Sequence, residues 1–559
     1  MGGDQHLRPG ASASRKACRM NSRAKVLIPQ LAVLAAACAF LFFFGLGAIG
    51  LVGADEPRYA QVAREMFQRH DWTVPTLNGV PWLEKPALLY WKIITSYSVL
   101  GVHDWAARIP SAIHATALVT AVFFFMRRFR PGSELDAALI TASLAGVIGF
   151  ARGASTDMLL VTYFCIAMLA WWTWHETDKK LWLAVFYALL ALGTLAKGPV
   201  APALALLVVG AYALARRDAK ILLRSAWWLG LLIFFAIALP WFIAIQTKVP
   251  QFFDEFFVRH NLERFGTNRY QHSQPFWYYL PVFLLATLPW TVIVISAIVN
   301  AARSGIRKLR AKATDPTTEW LPLFLLLWTL VLIVFFSISR SKLPGYILPG
   351  VPPVALLAAD WLHRDERSLS RLWLSVHALI CGLLMSGALL ASWFIVKAHP
   401  PTAVVVRAAI AGVIVSAIVL LVVRRSGLRA LHFATLLPTV LALGCLLGPS
   451  ASIINQVNSA RAVDDRLTEL HAPQLPIVMF NVKRDIAYGL NFYRNQPMGY
   501  YEKEGPYDLP SGIPSGAHIV VAKEGNIAAV QAAVGDRQVF SLGTFSPQHL
   551  EFFVVSSAK

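Results

Sequence analysis

Apolar runs of about twenty residues recur along the chain, parted by short loops rich in arginine and lysine. A helix needs about 20 mostly apolar residues to cross the hydrocarbon core of a bilayer, and only helices and closed barrels satisfy their own backbone there. Runs of this kind lie at 26–52, 106–126, 136–151, 157–175, 181–196, 198–214, 225–246, 277–300, 320–338, 345–362, 372–397, 403–423 and 430–448, thirteen expected spans. Of the 559 residues 56% are hydrophobic and 15% charged, where soluble domains have about 45–50% and about 25%. The run from Val26 to Val52 is too long for a signal-peptide core and reads as a retained first helix.

A net charge of +20 would point to nucleic acid in a soluble protein. Here the cations sit in short loops between apolar runs, which is the mark of membrane orientation, so no nucleic-acid partner is expected. One segment, Ala87–Gly101, is short and carries Lys92 in its middle. If it does not span, the basic tail 1–25 and the clusters at Arg127-Arg128-Arg130, Lys179-Lys180, Arg216-Arg217-Lys220, Arg307-Lys308-Arg310-Lys312, Arg364-Arg367-Arg371 and Arg424-Arg425-Arg429 share the cytoplasmic side. If it spans, all of these clusters lie outside. The first parity is expected, with Ala87–Gly101 as an interfacial or re-entrant helix on the outer face.

That parity puts Asp55-Glu56, Glu84-Lys85, Asp157, Lys197, the loop 247–276 and Lys342 to Tyr346 on one non-cytoplasmic surface. Tyr59, Val62, Ala63, Met66 and Phe67 repeat at helical spacing, with Arg58, Gln61, Arg64, Glu65 and Gln68 opposite. An amphipathic helix lying along the membrane surface is expected there. Pro57 suits its first turn, and Asp55 is placed either to cap it or to do chemistry. After Gly448 the composition changes. "PIVMF", "HIVVA", "RQVFSLG" and "EFFVVSS" alternate with helical stretches near 458–471, 484–494 and 526–534. The expected organisation is a cytoplasmic tail 1–25, a membrane domain 26–449 with outer loops 53–105 and 247–276, and a small outer α/β domain 450–559.

Each polar motif on the outer face has a chemical and a structural reading. Glu84-Lys85 stands between two prolines, and a lysine there suits a lipid phosphate; a solvated pair among head groups is the alternative. Asp157 lies at the outer end of a span, where a carboxylate is costly unless paired or functional, and where Ser155, Thr156 and Asp157 are all plausible helix caps. The loop holding His260, Glu263, Arg264, Arg269 and His272 concentrates cations amid aromatics, and its arginines match phosphate geometry. His260 and His272 fit no strong ligand spacing, so no metal is expected. Lys342 and Lys197 are either ligands or snorkelling cations. The five cysteines read as small apolar fillers or tail residues, with no disulfide or metal pattern.

The stretches "DEPRYAQVAREM", "LNGVPWLEKPALLYW", "RIPSA", "FFVRHNLERF" and "SRSKLPGYILPGVPP" resemble the dolichyl-phosphate-mannose–protein mannosyltransferase superfamily of GT-C fold. Within it they are most similar to the bacterial lipid A aminoarabinose transferases. The likeness covers roughly residues 26–360 by motif and the rest by architecture. It implies an all-α membrane bundle of about 13 helices with periplasmic juxtamembrane helices and a small C-terminal α/β domain. It also implies an inverting glycosyltransferase in the bacterial inner membrane, with its site facing the periplasm. The implied donor is undecaprenyl-phosphate-linked 4-amino-4-deoxy-L-arabinose, the acceptor is a lipid A phosphate, and no metal or cofactor is needed. By the same resemblance Asp55, Glu84 and Asp157 are the catalytic carboxylates, and Lys85, Arg58, Tyr59, Arg269 and Tyr346 contact the donor phosphate. Glu56, Lys197, His260, Arg264 and Lys342 are secondary candidates. The sequence carries no oligomerisation signal, and a monomer among membrane lipids is expected. Other sugars or acceptors within the superfamily remain the main alternative, and a lipid transporter the second, although no internal repeat of the transporter kind is present.

Overall fold

The computed structural model describes residues 27–263, 274–311, 316–364, 370–472, 474–501 and 511–558. Among these, eight helices are long and apolar enough to cross a membrane, or eleven if each of three bent helix pairs counts as one crossing. All thirteen expected segments fall on helices or bent pairs, but two of those helices, Leu27–Phe43 and Val200–Arg216, are shorter. Gly45 (φ 66°) follows the first, and Gly198 (φ 91°) with Pro199 precedes the second, so backbone breaks set their lengths. The count of thirteen crossings is therefore not reached by length and composition alone.

The bent pairs break at Leu144 (64°), between Ala286 and Thr291 (116°) and near Val351 (42°). Unwound backbone inside a membrane must find partners within the protein. The first two breaks supply one another: Ala145 N donates to Leu288 O at 2.8 Å, and Trp290 Nε1 donates to Ser143 Oγ at 2.8 Å. At the third, Trp328 Nε1 donates to Pro349 O and Thr329 Oγ1 to Gly350 O, both at 3.0 Å.

Between the first two membrane helices the chain makes two short helices on one face of the bundle. Asp55–Arg69 buries Tyr59, Val62, Ala63 and Met66, as its spacing requires. Leu88–Leu100, which carries Lys92, is 13 residues long. At 1.5 Å per residue it spans about 20 Å, too short for the core of a bilayer. It packs under the first helix, and Tyr97 OH donates to Ala60 O at 3.2 Å. A hairpin joins the two, β1 (Thr76–Leu77) with β2 (Val80–Pro81). Glu65 fastens it by accepting from Thr76 Oγ1, Asn78 N and Gly79 N.

The carboxyl-terminal domain begins with helices Ala451–Asn458 and Ala460–Glu469. Its strands are β3 (Ile477–Phe480), β4 (Met498–Tyr500), β5 (His518–Lys523), β6 (Val539–Phe545) and β7 (Leu550–Val555), ordered β4-β3-β5-β7-β6 in one sheet. β3 runs parallel to β4 and β5, while β7 is antiparallel to β5 and β6. The three-residue β4 is too short to have left a period in the sequence. The polar face of Asp55–Arg69 does not face water as its amphipathic pattern predicts. Helix Arg484–Arg494 of the carboxyl-terminal domain covers it, with Arg64 Nη1 donating to Phe492 O at 2.8 Å. The domain is fastened further by Arg461, which pairs with Asp104 and donates to Gly47 O at 3.0 Å, and by Tyr493 OH, which donates to Asp104 at 3.0 Å.

Candidate active site

A cavity of about 660 Å³ opens where the first loop, three membrane-helix ends and the carboxyl-terminal domain meet. It gathers residues far apart in the chain: Asp55, Glu56, Arg58 and Tyr59 from the surface helix, Glu84 and Lys85 from the proline-flanked loop, and Asp157, Lys197 and Tyr346 from helix ends. Three arginines outside the sequence-derived set join them: Arg108, Arg152 and Arg484. Six cations thus face four carboxylates. An excess of positive charge in a cleft with apolar walls favours anionic ligands.

The four carboxylates have different duties. Glu56 is saturated: it accepts from Arg108 Nε at 3.0 Å and Nη2 at 2.6 Å, from Val52 N at 3.0 Å and from Ala154 N at 2.8 Å. Arg108 gives its remaining N–H groups to the carbonyls of Leu46, Ile49 and Gly50. This buried pair ties the first loop to the turn before helix Thr156–Thr177, and it has no lone pair or N–H to spare for a substrate. Asp55 is the opposite case, with its side chain 60% exposed. It does not cap its helix: the N-cap is Ala54, without a side-chain bond, and Asp55 is the first helical residue. Among the described residues its one charged partner within 4.0 Å is Arg58 Nη2, at 2.5 Å.

Arg58 is buried between Asp55 and Glu84, the latter at 3.7 Å, and lies over Trp82 at 4.7 Å and Tyr488 at 5.5 Å. Burial opposes its charge, but Glu84, Tyr59 and Asp55 outweigh burial and hold its pKa above the ordinary value. Its guanidinium therefore orients two carboxylates as much as it meets a ligand. Burial pushes the Tyr59 phenol well up, so it stays a donor. Lys85 Nζ lies 3.3 Å from Glu84 O. Burial and nearby Arg108 pull Arg152 down to about 10, and it donates to Phe44 O at 2.8 Å.

Across the cavity Asp157 pairs with Lys197 Nζ. The cap of its helix is Ser155, whose Oγ accepts from Asp157 N at 3.0 Å, so Asp157 is left for the cavity. Lys197 also lies 5.0 Å from the centre of the Tyr346 ring. Gly345 makes this contact possible: a Cβ there would stand 2.7 Å from Asp157 Oδ1 and 2.8 Å from Phe150 Cζ.

Lys342 is not part of the site. It is buried outside the cavity lining, with Nζ donating to Ser339 O at 2.5 Å. Ser339 is the C-cap of helix Leu321–Ile338, and the lysine satisfies its carbonyl. Arg264, Arg269 and His272 lie outside the described residues, as does the side chain of His260. Arg108 had a legible signal, an arginine inside an apolar run. Arg484 had none, being one cation on an amphipathic helix of a polar domain.

The fold and site define a multi-pass membrane protein of GT-C fold. The dolichyl-phosphate-mannose-protein mannosyltransferase family matches residues 84–243. An undecaprenyl phosphate-α-4-amino-4-deoxy-L-arabinose arabinosyl transferase of Serratia proteamaculans is 31% identical over 66% of this chain and 67% of its own length. One of Shewanella sediminis is 31% identical over 57% of each chain, so the likeness spans less than two thirds of that relative. The chain belongs to the family of these arabinosyl transferases. The crystal structure of ArnT from Cupriavidus metallidurans bound to undecaprenyl phosphate shares its fold, with a TM-score of 0.74 over 94% of this chain and 97% of that one, at 23% identity. The apo state of the same protein gives 0.75 over 95% and 98%.

Proposed function

We propose that the chain transfers 4-amino-4-deoxy-L-arabinose from undecaprenyl phosphate to a phosphate of lipid A, on the periplasmic face of the bacterial inner membrane. The observation that carries this reading is the cavity in which exposed Asp55 stands with Glu84, Lys85 and the Asp157–Lys197 pair at one end of a membrane bundle. Relatives 31% identical bear names that specify this donor.

In the reaction a lipid A phosphate oxygen attacks the anomeric carbon. The bond from that carbon to the undecaprenyl phosphate oxygen breaks, and its electron pair stays on the leaving phosphate, with inversion. The attacking phosphate is already anionic at neutral pH, so little general-base help is needed. Lys85, with Arg269, stabilises the charge that grows on the leaving phosphate. Asp55, the exposed carboxylate, orients the acceptor or holds the sugar's ammonium. Trp82 and Tyr488 hold the Arg58 guanidinium, which in turn orients Asp55 and Glu84. Masking lipid A phosphates with a cationic sugar lowers surface negative charge and weakens binding of polymyxin-type peptides.

The test is transfer in proteoliposomes supplied with the lipid-linked sugar and lipid A. Sugar appearing on lipid A with equal loss of donor supports the reading. Movement of lipid between leaflets without transfer would make the protein a transporter, and transfer only to a hydroxyl acceptor would assign it another superfamily reaction.

A further inference from the structure

A second cavity, of about 680 Å³, adjoins the first, and Gly53 lines both. Helix Arg484–Arg494 starts between them: Arg484 lines the first, and Lys483 and Asp485 line the second. The second cavity collects cations from three places in the chain. Lys397 follows the membrane helix Arg371–Ile395, Lys483 is the N-cap of Arg484–Arg494, and Lys523 ends β5. His549 stands with them on a turn after β6 that Gln548 pins down, its Nε2 donating to Gln456 O at 2.8 Å and Ser459 O at 2.9 Å. Asp485 is the one carboxylate in this lining, and its Oδ1 accepts from Ile486 N at 3.1 Å.

Charge and place together identify the ligand class. Asp485 in the first turn accepts from Ile486 N and offsets the partial positive charge of the helix start, so the lysines carry the positive charge of this cavity. Apolar residues line the cavity as well, Ile395 and Val396 from the end of a membrane helix and Ile453 and Val457 from Ala451–Asn458. Cations beside apolar residues at the end of a membrane helix suit the phosphate of a lipid rather than a soluble anion. We propose that this cavity is a second phosphate subsite: it holds one phosphate of a glycolipid acceptor that carries two, while the other phosphate reacts in the first cavity. The proposal rests on the function proposed above.

The test compares bisphosphorylated with monophosphorylated lipid A on the full-length protein. Binding to detergent-solubilised protein is read by native mass spectrometry, and transfer by steady-state kinetics in proteoliposomes. The wild type should prefer the bisphosphorylated lipid by about tenfold, the worth of one or two charge-assisted hydrogen bonds. The Lys483→Ala/Lys523→Ala double variant should lose that preference, through a rise in KM for the bisphosphorylated acceptor rather than a fall in kcat. Lys483→Arg/Lys523→Arg, which keeps the charge, should retain it and controls for folding. No preference in the wild type, or an undiminished one in the alanine variant, overturns the proposal. If inorganic phosphate binds with the same lysine dependence while neither lipid does, the cavity is a soluble-anion site and the proposal also falls. If the binding preference and its loss are seen without any sugar transfer, the lipid subsite stands and the proposed function fails.

Discussion

Arg108 holds the Glu56 carboxylate with two N–H groups, at 3.0 and 2.6 Å, and spends the others on three backbone carbonyls of the first loop. Breaking a buried pair leaves an uncompensated charge and costs about 3–5 kcal/mol. Arg108→Ala should therefore lower the thermal unfolding midpoint of the purified protein by several degrees and lose transfer with it. Asp55→Asn should lose transfer with the midpoint unchanged. The two readouts separate the structural carboxylate from the chemical one although they are neighbours in sequence.

The Asp157–Lys197 pair joins two membrane-helix ends at the cavity wall, and both side chains are mostly buried. Single Asp157→Asn and Lys197→Met variants should each be destabilised, and the double variant should regain part of the loss. A double-mutant cycle on thermal stability should give a coupling of about 1–3 kcal/mol. A coupling near zero would mean that the two charges act independently.

Gly345 lets the turn carrying Tyr346 lie against Asp157. Gly345→Ala forces a methyl group to 2.7 Å from Asp157 Oδ1. Overpacking of this kind costs about 1–3 kcal/mol. The displacement should fall on Asp157 and Tyr346, so kcat should drop about tenfold or more, while the carboxyl-terminal domain keeps its hydrogen-exchange protection.

His518 begins β5 buried, with Nδ1 at 2.8 Å from Gly516 O, Arg537 at 3.4 Å and the Tyr501 hydroxyl at Nε2. Burial lowers its pKa, the Gly516 carbonyl partly opposes this, and Arg537 lowers it further. The folded state thus binds a proton less readily than the unfolded one. The stabilisation is complete above the unfolded value of about 6.5 and is lost as pH falls through the lower folded value. Amide protection factors in β5 and β7, taken relative to the intrinsic exchange rate at each pH, should fall between pH 7.5 and 5, and His518→Gln should flatten that dependence.

The site was legible where charge interrupts apolar sequence. Asp55, Asp157 and Lys197 sit at the ends of apolar runs, where each charge is costly and so informative, Glu84-Lys85 stands between two prolines beside such a run, and loop charges put them on one expected face with Tyr346. The same logic misjudged Lys342, because a cation at a helix end can be consumed by a nearby carbonyl and nothing in one sequence reveals which. It also treated Asp55 and Glu56 as a pair, although their side chains point to different partners. Arg484 and Tyr488 reach the site through docking of the carboxyl-terminal domain, a long-range contact with no local pattern. The bends at Leu144 and Ala286–Thr291 have no local pattern, because the bonds that join them, Ala145 N to Leu288 O and Trp290 Nε1 to Ser143 Oγ, link residues about 145 positions apart.

The most direct measurement is mass spectrometry of lipid A from a Gram-negative strain that makes the aminoarabinose donor, lacks its own transferase and expresses this chain. A pentosamine-sized mass increment is predicted with the wild type, and its absence with stably expressed Asp55→Asn and Lys85→Ala. No increment from well-expressed wild-type protein, or one that persists in both variants, would contradict the account.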